Sequence, residues 1–376
     1  MDPTGNEPQK PDARSLHFPC TSCGGELNWD PGASQMKCPY CDSLVEVPKD
    51  EEFEAAEHDL LAFLDEHPTA EGYGVQLEGI TCRSCGAKIQ APPGRRDPTC
   101  AFCGSKYVLE SEGETKEVLK PESVLPFEIP KERCQKTFKQ WIGSGWFRPS
   151  NLKKLSKLDR IQGLYMPFFT FDAQADSRWT AESGTYYYVT EQVPVREGGR
   201  TVYKTRRVRK VRWRPASGSR SDFHDDVLVP SVTDEHLNLL MKVFPYNLKV
   251  LKPYDSRYLV GFGILNSELP LTTVYGIAQS NMESEQISRC ARDIPGDTYR
   301  NLEVQTLLSG QTFKHLLCPL WIGSFKYKGT VYPFVVNGQT GKLFGKKPWS
   351  VIKIVLFVLS LLAAGGIGYL VLSQLS

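Results

Sequence analysis

The chain has 376 residues, 23% of them charged, and a formal net charge of +2. This near-neutrality excludes a global field that would draw the protein to nucleic acid or anionic lipid, so any such partner needs a local patch. Eleven cysteines are many. Met1–Ser15 is polar and Pro-rich without an apolar signal segment, so C-x-x-C spacing points to metal in a reducing compartment, away from a disulfide framework.

Residues 1–16 are expected to be disordered. The segment 17–47 carries Cys20, Cys23, Cys38 and Cys41, and 79–110 carries Cys82, Cys85, Cys100 and Cys103. Cys82 follows Cys20, and Cys103 follows Cys41, by the same 62 positions, so one C-x2-C-x14-C-x2-C module is duplicated. Two residues between thiolates let a tight turn aim both sulfurs at one ion, and two such knuckles close a tetrahedral shell. Gly24, Gly86 and Gly104 follow their knuckles where positive φ is needed, and Asp42 stands at the fourth. A four-thiolate shell has no open position, which makes each of two expected Zn2+ ions structural. A rubredoxin-like iron centre uses the same ligands.

These modules resemble zinc ribbons of the type in transcription factor TFIIB, over Phe18–Val47 and Ile80–Leu109. Between them, 48–78 reads as an acidic linker whose helix, Lys49–His67, places Phe53, Ala56, Leu60, Leu61 and Leu64 on one face and stops before Pro68. That face packs against a ribbon or serves a partner.

Residues 111–124 read as a polar connector to an α+β domain at 125–348. Its helix Ile129–Trp141 puts Cys134, Phe138 and Trp141 together. In Gly163–Ala175, Phe169, Phe171 and Ala173 alternate with Thr170, Asp172 and Gln174, the pattern of a half-buried strand with Pro167 at its start or on an edge. Strands continue through 176–230, turned at Gly198-Gly199. The most basic stretch holds Lys204, Arg206, Arg207, Arg209, Lys210, Arg212 and Arg214. It is either the wet face of a strand, a site for anionic headgroups, or a nucleic-acid contact with limited aromatic interleaving at Tyr203 and Trp213.

His224-Asp225-Asp226 invites a hydrolase reading. No second His accompanies it, so a satisfied surface His–Asp pair is expected, and no G-x-S-x-G, Walker or Rossmann pattern is present. The chain is therefore expected not to be an enzyme. Thr233 caps a short helix ending near Pro245. Leu271–Ala291 is an amphipathic helix with Leu271, Val274, Tyr275, Ala278, Met282, Ile287 and Cys290 on its face, stopped by Asp293–Asp297. Leu316–Tyr327, Val331–Val336 and Lys342–Phe344 read as strands turned at Lys328-Gly329 and Asn337–Gly341.

Residues 351–372 are apolar apart from Lys353 and read as a transmembrane helix. Lys342, Lys346, Lys347 and Lys353 on its near side imply a single-pass protein of the inner or plasma membrane, with the N-terminal bulk cytoplasmic and the C-terminus on the far side. The expected fold is thus multidomain: two small β zinc ribbons, an α+β domain with antiparallel sheet, and one C-terminal transmembrane helix.

The ribbon opening FPCTSCGGELNWDPG, the strand GLYMPFFTFDA and the segment HLLCPLWIGSFKYKGTVYPFVVNGQTGKLFGKKPWS resemble a family of bacterial TFIIB-type zinc-ribbon membrane proteins, some labelled primosomal helicase. No helicase motif supports that label, and this chain has two ribbons where one is common. Some members resemble components encoded beside PspA-type and SPFH-domain proteins, which implies membrane stress or maintenance. Together these features imply a membrane-tethered adaptor with protein partners. The alternative is a membrane-localised nucleic-acid binder using the ribbons and 204–214.

Overall fold

The computed structural model describes residues 18–47, 55–66, 121–155, 157–197, 200–232, 240–265, 267 and 269–375, with 74–81, 88–91, 110–119 and 367–375 described in backbone alone, as are 155, 157, 159, 160 and 197. In chain order the elements are β1 (Asn28–Asp30), β2 (Gln35–Lys37), β3 (Leu44–Val45), β4 (His58–Asp59), α1 (Leu60–Glu66), β5 (Gly74–Thr81), β6 (Lys88–Ala91), β7 (Glu110–Leu119), β8 (Ser123–Val124) and α2 (Lys131–Ile142). There follow α3 (Leu152–Leu155), β9 (Lys157–Glu197), β10 (Arg200–Pro230), β11 (Lys252–Pro253), β12 (Gly263–Leu265), α4 (Leu271–Asp293), β13 (Thr298–Tyr327), β14 (Thr330–Asn337), β15 (Leu343–Gly345) and α5 (Val351–Leu375).

β9 organises the molecule. Its 41 residues span about 135 Å at ~3.3 Å per residue. It pairs antiparallel with β13 along one side, and with β10 and, in parallel, β12 along the other. The twelve-stranded sheet continues from β12 through β6 and β5 to β7. Over 163–173 the strand is buried on both faces, and its sequence provides for that. Leu164, Met166 and Phe168 enter one core with Leu316, Cys318 and Leu320 of β13. Phe169, Phe171 and Ala173 enter another beneath α4.

Several expectations are corrected. The separate α+β domain is replaced by one large, mainly antiparallel sheet with few helices. Gly163–Ala175 is not half-buried: Thr170 and Asp172 are buried as fully as their apolar neighbours. Pro167 lies inside β9, where it fits because pairing with β10 ends at Phe168 and pairing with β12 is at Leu164 and Tyr165. Its carbonyl accepts from the Ser231 N–H on that side, so its missing donor faces the gap between the two partners. The polar connector is in large part β7, paired with β5. Of the acidic helix, 49–54 and 67 lie outside the described residues. Helix α1 starts only at Leu60, because Asp59 caps it by accepting from the Ala62 N–H at 2.8 Å and His58 pairs with Phe313.

The membrane-spanning helix is also corrected. Among the described residues no helix is long and apolar enough to cross a membrane. The single-pass inner-membrane placement falls with it.

Other elements form as their patterns imply. Cys134 and Phe138 on α2 are buried, and Phe138 stacks on Phe334 at 4.5 Å. Lys328 and Gly329 both adopt positive φ between β13 and β14, a turn whose twist matches the strands it joins. Glu197 pairs with Arg200 to close the β9–β10 hairpin around 198–199, which lie outside the described residues. So does most of the helix expected after Thr233, with Met241–Val243 a single 3-10 turn.

Helix α4 buries Leu271, Val274, Ala278, Met282, Gln286 and Cys290. The face departs from expectation at one turn, since Ile287 is exposed and Gln286 buried, donating to the Ala175 carbonyl at 3.4 Å. Substitution of Met282 by Ala is therefore expected to cost about 2–5 kcal/mol, and of Ile287 by Ala within about 0.5 kcal/mol, by urea unfolding. Equal costs would place the helix in a different rotation.

Candidate metal centre

The first cysteine quartet is built by two turns and a three-stranded sheet, β1-β2-β3. After Cys23 the chain turns through Gly24 at φ +72°, whose N–H donates to the Cys20 carbonyl at 2.8 Å. After Cys41 it turns through Asp42 at φ +58°, whose N–H donates to the Cys38 carbonyl at 3.0 Å. Lys37 holds the Asp42 carboxylate at 2.9 Å, giving this non-glycine residue a partner in its left-handed position. The hairpin tip is closed by Asp30 Oδ1 accepting from the Gly32 N–H at 2.8 Å.

All four sulfurs lie within 4.8 Å of one another. Cys20 and Cys41 are 3.6 Å apart, Cys23 and Cys38 3.5 Å. Cys41 is pushed down to about 6 by the Ser43 hydroxyl and N–H, and Cys20 is lowered by the N–H groups of Ser22 and Cys23. The Gly25 N–H favours the Cys23 thiolate, but Cys41 and Cys38 outweigh it and hold that thiol at about 12. Four sulfurs at this separation suit a tetrahedral shell, and the quartet can hold one metal ion. The second quartet, Cys82, Cys85, Cys100 and Cys103, lies outside the described residues. The strands flanking Cys82 and Cys85, β5 and β6, pair antiparallel.

The ribbon is fused to the main body. Trp29 Nε1 donates to the Phe127 carbonyl at 3.2 Å, its N–H to the Val260 carbonyl at 3.3 Å, and its ring meets Tyr258 edge-on at 4.8 Å. Cys20, Cys38, Trp29 and Met36 share one core with Phe127, Tyr165 and Trp321. Trp29 was a contact that periodicity could not single out, though an aromatic in so short a strand was its signal.

The basic stretch lies on β10 in a two-stranded arm, far from the quartet in the chain and exposed throughout. Pairing with β13 reaches only Gly184, so 185–197 and 200–212 project as a hairpin about 40 Å long. By register, Lys204, Arg206, Lys210, Arg212 and Arg214 take one face and Arg207 and Arg209 the other. Guanidinium groups lie over tyrosine rings, Arg207 on Tyr188 and Arg209 on Tyr186 at 4.3 Å each, and Arg212 on Tyr187 at 5.4 Å. Lys210 is paired with Glu191.

The structure separates His224 from its neighbours in sequence. His224 is buried, not a surface residue, and its Nδ1 is 3.7 Å from Glu285 on α4. Asp225 and Asp226 form a bulge on β10 that faces the buried Asp172, whose carboxylate accepts from the Asp226 N–H at 2.5 Å. These three carboxylates are close enough to share a cation, but Lys314 Nζ is already there, 3.1 Å from both Asp226 and Glu57 and 3.9 Å from Asp172. Burial raises Asp172 above the usual carboxylate range. Burial opposes the Lys314 charge, yet Glu57 and Asp226 outweigh it and raise its pKa. Asp172, Lys314 and Glu57 come from three distant segments and carry no common motif.

No family model matches the chain, and no solved structure matches it. It is 25% identical over 236 residues to the uncharacterised protein YdjG of Bacillus subtilis (strain 168), over 62% of this chain and 65% of that protein. The chain thus spans about two thirds of that relative's length, at a likeness too distant to assign a family.

Burial and the Arg289 charge both lower the His224 pKa. The unfolded chain then binds a proton the folded chain refuses, so stability is lost as pH falls from the unfolded value of about 6.5 towards the lowered folded one. Unfolding free energy measured between pH 7 and pH 5 is expected to decline with acid, and His224→Asn to flatten that slope. An unchanged slope in the variant would assign the dependence elsewhere.

Proposed function

We propose that this protein is a non-enzymatic adaptor, braced by structural zinc, that presents a rigid sheet and a projecting arm to protein partners. The observation that carries this reading is the closed thiol quartet docked into the main core through Trp29. Four sulfurs leave a metal no open coordination position, so the ion acts through folding and not through bound water. Zinc suits an all-thiolate tetrahedral shell in a chain of this cysteine spacing. The duplicated spacing assigns a second zinc to Cys82, Cys85, Cys100 and Cys103. The likeness of the ribbon segment to TFIIB-type ribbons supports the same assignment. A membrane anchor is no part of this proposal.

The hydrolase alternative has less support, because Lys314 sits within the carboxylate cluster of Asp172 and Asp226 and His224 faces α4 instead. A lysine fixed among carboxylates is the arrangement of a buried ion network, which leaves no free general base beside a reactive group.

Elemental analysis of the purified full chain is expected to give about two zinc ions, and Cys20→Ser with Cys38→Ser about one. Chelation is expected to lower the thermal transition and to open 18–47 to protease. A chain that binds no metal, or one whose absorption spectrum reveals iron, would overturn the zinc assignment. Full thermal stability after metal removal would overturn the bracing role.

A further inference from the structure

The β9–β10 arm has two properties that its place in the sheet does not require. First, β10 pairs with β9 and, among the described residues, with no other strand. Along 200–214 every second residue therefore turns its N–H and C=O outward, an open template for another strand. Second, the arm is charged far out of proportion to the chain. From Thr185 to Arg214 there are nine Lys and Arg against two Glu, a net charge of +7 in a protein whose total is +2. The remainder is thus net −5.

An open edge with a dense positive charge discriminates among partners. Two copies of this chain meeting edge to edge would bring +7 against +7, which disfavours self-pairing. Nucleic acid would use the charge but not the outward main chain. It would also find one face each of Tyr188, Tyr186 and Tyr187 taken by Arg207, Arg209 and Arg212. An extended polypeptide uses both features at once. Its backbone pairs with the edge, and carboxylates at every second position lie on one face, where they meet Arg206 and Arg212. The stacked guanidinium groups are held by the rings beneath them, so a planar two-pronged contact with a carboxylate costs less ordering than it would from a loose side chain.

We propose that the outer edge of β10 over 200–214 receives an extended acidic peptide of a partner protein as an added β-strand. This rests on the adaptor function above and names the chemistry of its partner. The fifteen edge residues span about 50 Å, enough for a partner strand of ordinary length.

The test uses the full-length, zinc-loaded chain and a synthetic peptide of about 12 residues alternating Glu and Val, followed by fluorescence anisotropy. Three comparison probes are a peptide of the same charge interrupted by Pro, a single-stranded oligonucleotide, and anionic phospholipid vesicles. The alternating peptide is expected to bind at least about tenfold more tightly than the Pro-interrupted one, because only the former can pair with the edge. Infrared spectra of isotope-labelled peptide are expected to show it becoming strand on binding. Arg206→Glu with Arg212→Glu is expected to abolish binding while leaving the thermal transition and zinc content unchanged. Equal binding of the two peptides, tighter binding of the oligonucleotide or vesicles, or no binding of any probe would each overturn the proposal. If the zinc content stays intact in those cases, the bracing role stands and only the docking site is lost.

Discussion

The double pairing of β9 is the constraint on which the rest of the structure depends. With β13 along one side and β10 and β12 along the other, the strand is paired on both edges at Leu164, Tyr165 and Phe168–Gly184. Both faces of 163–173 are buried. The hydrophobic run from Leu164 to Phe171 supplies two cores instead of one, and α4 closes the side on which Phe171 and Ala173 sit. The carboxylate caught inside is answered by charge: Asp172 meets Lys314, which β13 delivers opposite Thr170, and Glu57 closes the group from a distant segment. Without that lysine the buried carboxylate would stand unpaired, a condition far more costly than an exposed one.

The ribbon is tied to this frame by apolar contact and by the hydrogen bonds of Trp29. Three strands of two or three residues cannot hold themselves together by hydrogen bonds alone, so the module depends on the thiol cluster within and on Trp29 without. Trp29 buries its ring against Tyr258 and gives its N–H to the Phe127 carbonyl, while Phe127 itself stacks on Phe262 at 4.1 Å. Disruption of the thiol cluster would therefore be felt in the core of the sheet. That coupling is what distinguishes a brace from a detachable binding module.

Local chemistry was readable where it is written in consecutive residues. The knuckle spacing, the left-handed Gly24 and Asp42, the Lys328-Gly329 turn and the α2 face of Cys134 and Phe138 all follow from short-range rules. What escaped was set by pairing at long range. Alternation in Gly163–Ala175 reads as one wet face because nothing in the segment announces that Lys314 and Glu57 will cover Thr170 and Asp172. Pro167 reads as an edge marker, and its tolerance inside β9 depends on where two other strands stop. Ile287 and Gln286 exchanged places because α4 lies along a twisted sheet, so its contact stripe rotates relative to an ideal apolar face. His224 and Asp225 are adjacent in sequence yet serve different networks because a bulge intervenes between them.

The arm resolves the ambiguity of the basic stretch in an unexpected direction. A two-stranded ribbon without a third strand or a core is marginal in water, and past Gly184 this one has neither. Its cohesion must come from cross-strand side chains. The Arg–Tyr contacts on both faces supply about 0.5–1 kcal/mol each at exposed sites, and Lys210 pairs with Glu191. Arg207, Arg209 and Arg212 thus have a structural part, since each lies over a tyrosine ring of the facing strand. This does not compete with recognition, because a guanidinium lying flat on a ring keeps its N–H edge directed outward. The same contacts that stiffen the arm fix the positions of its charge, and a rigid, prepaid arrangement of donors along an open strand edge is the physical requirement for admitting an acidic strand in one register.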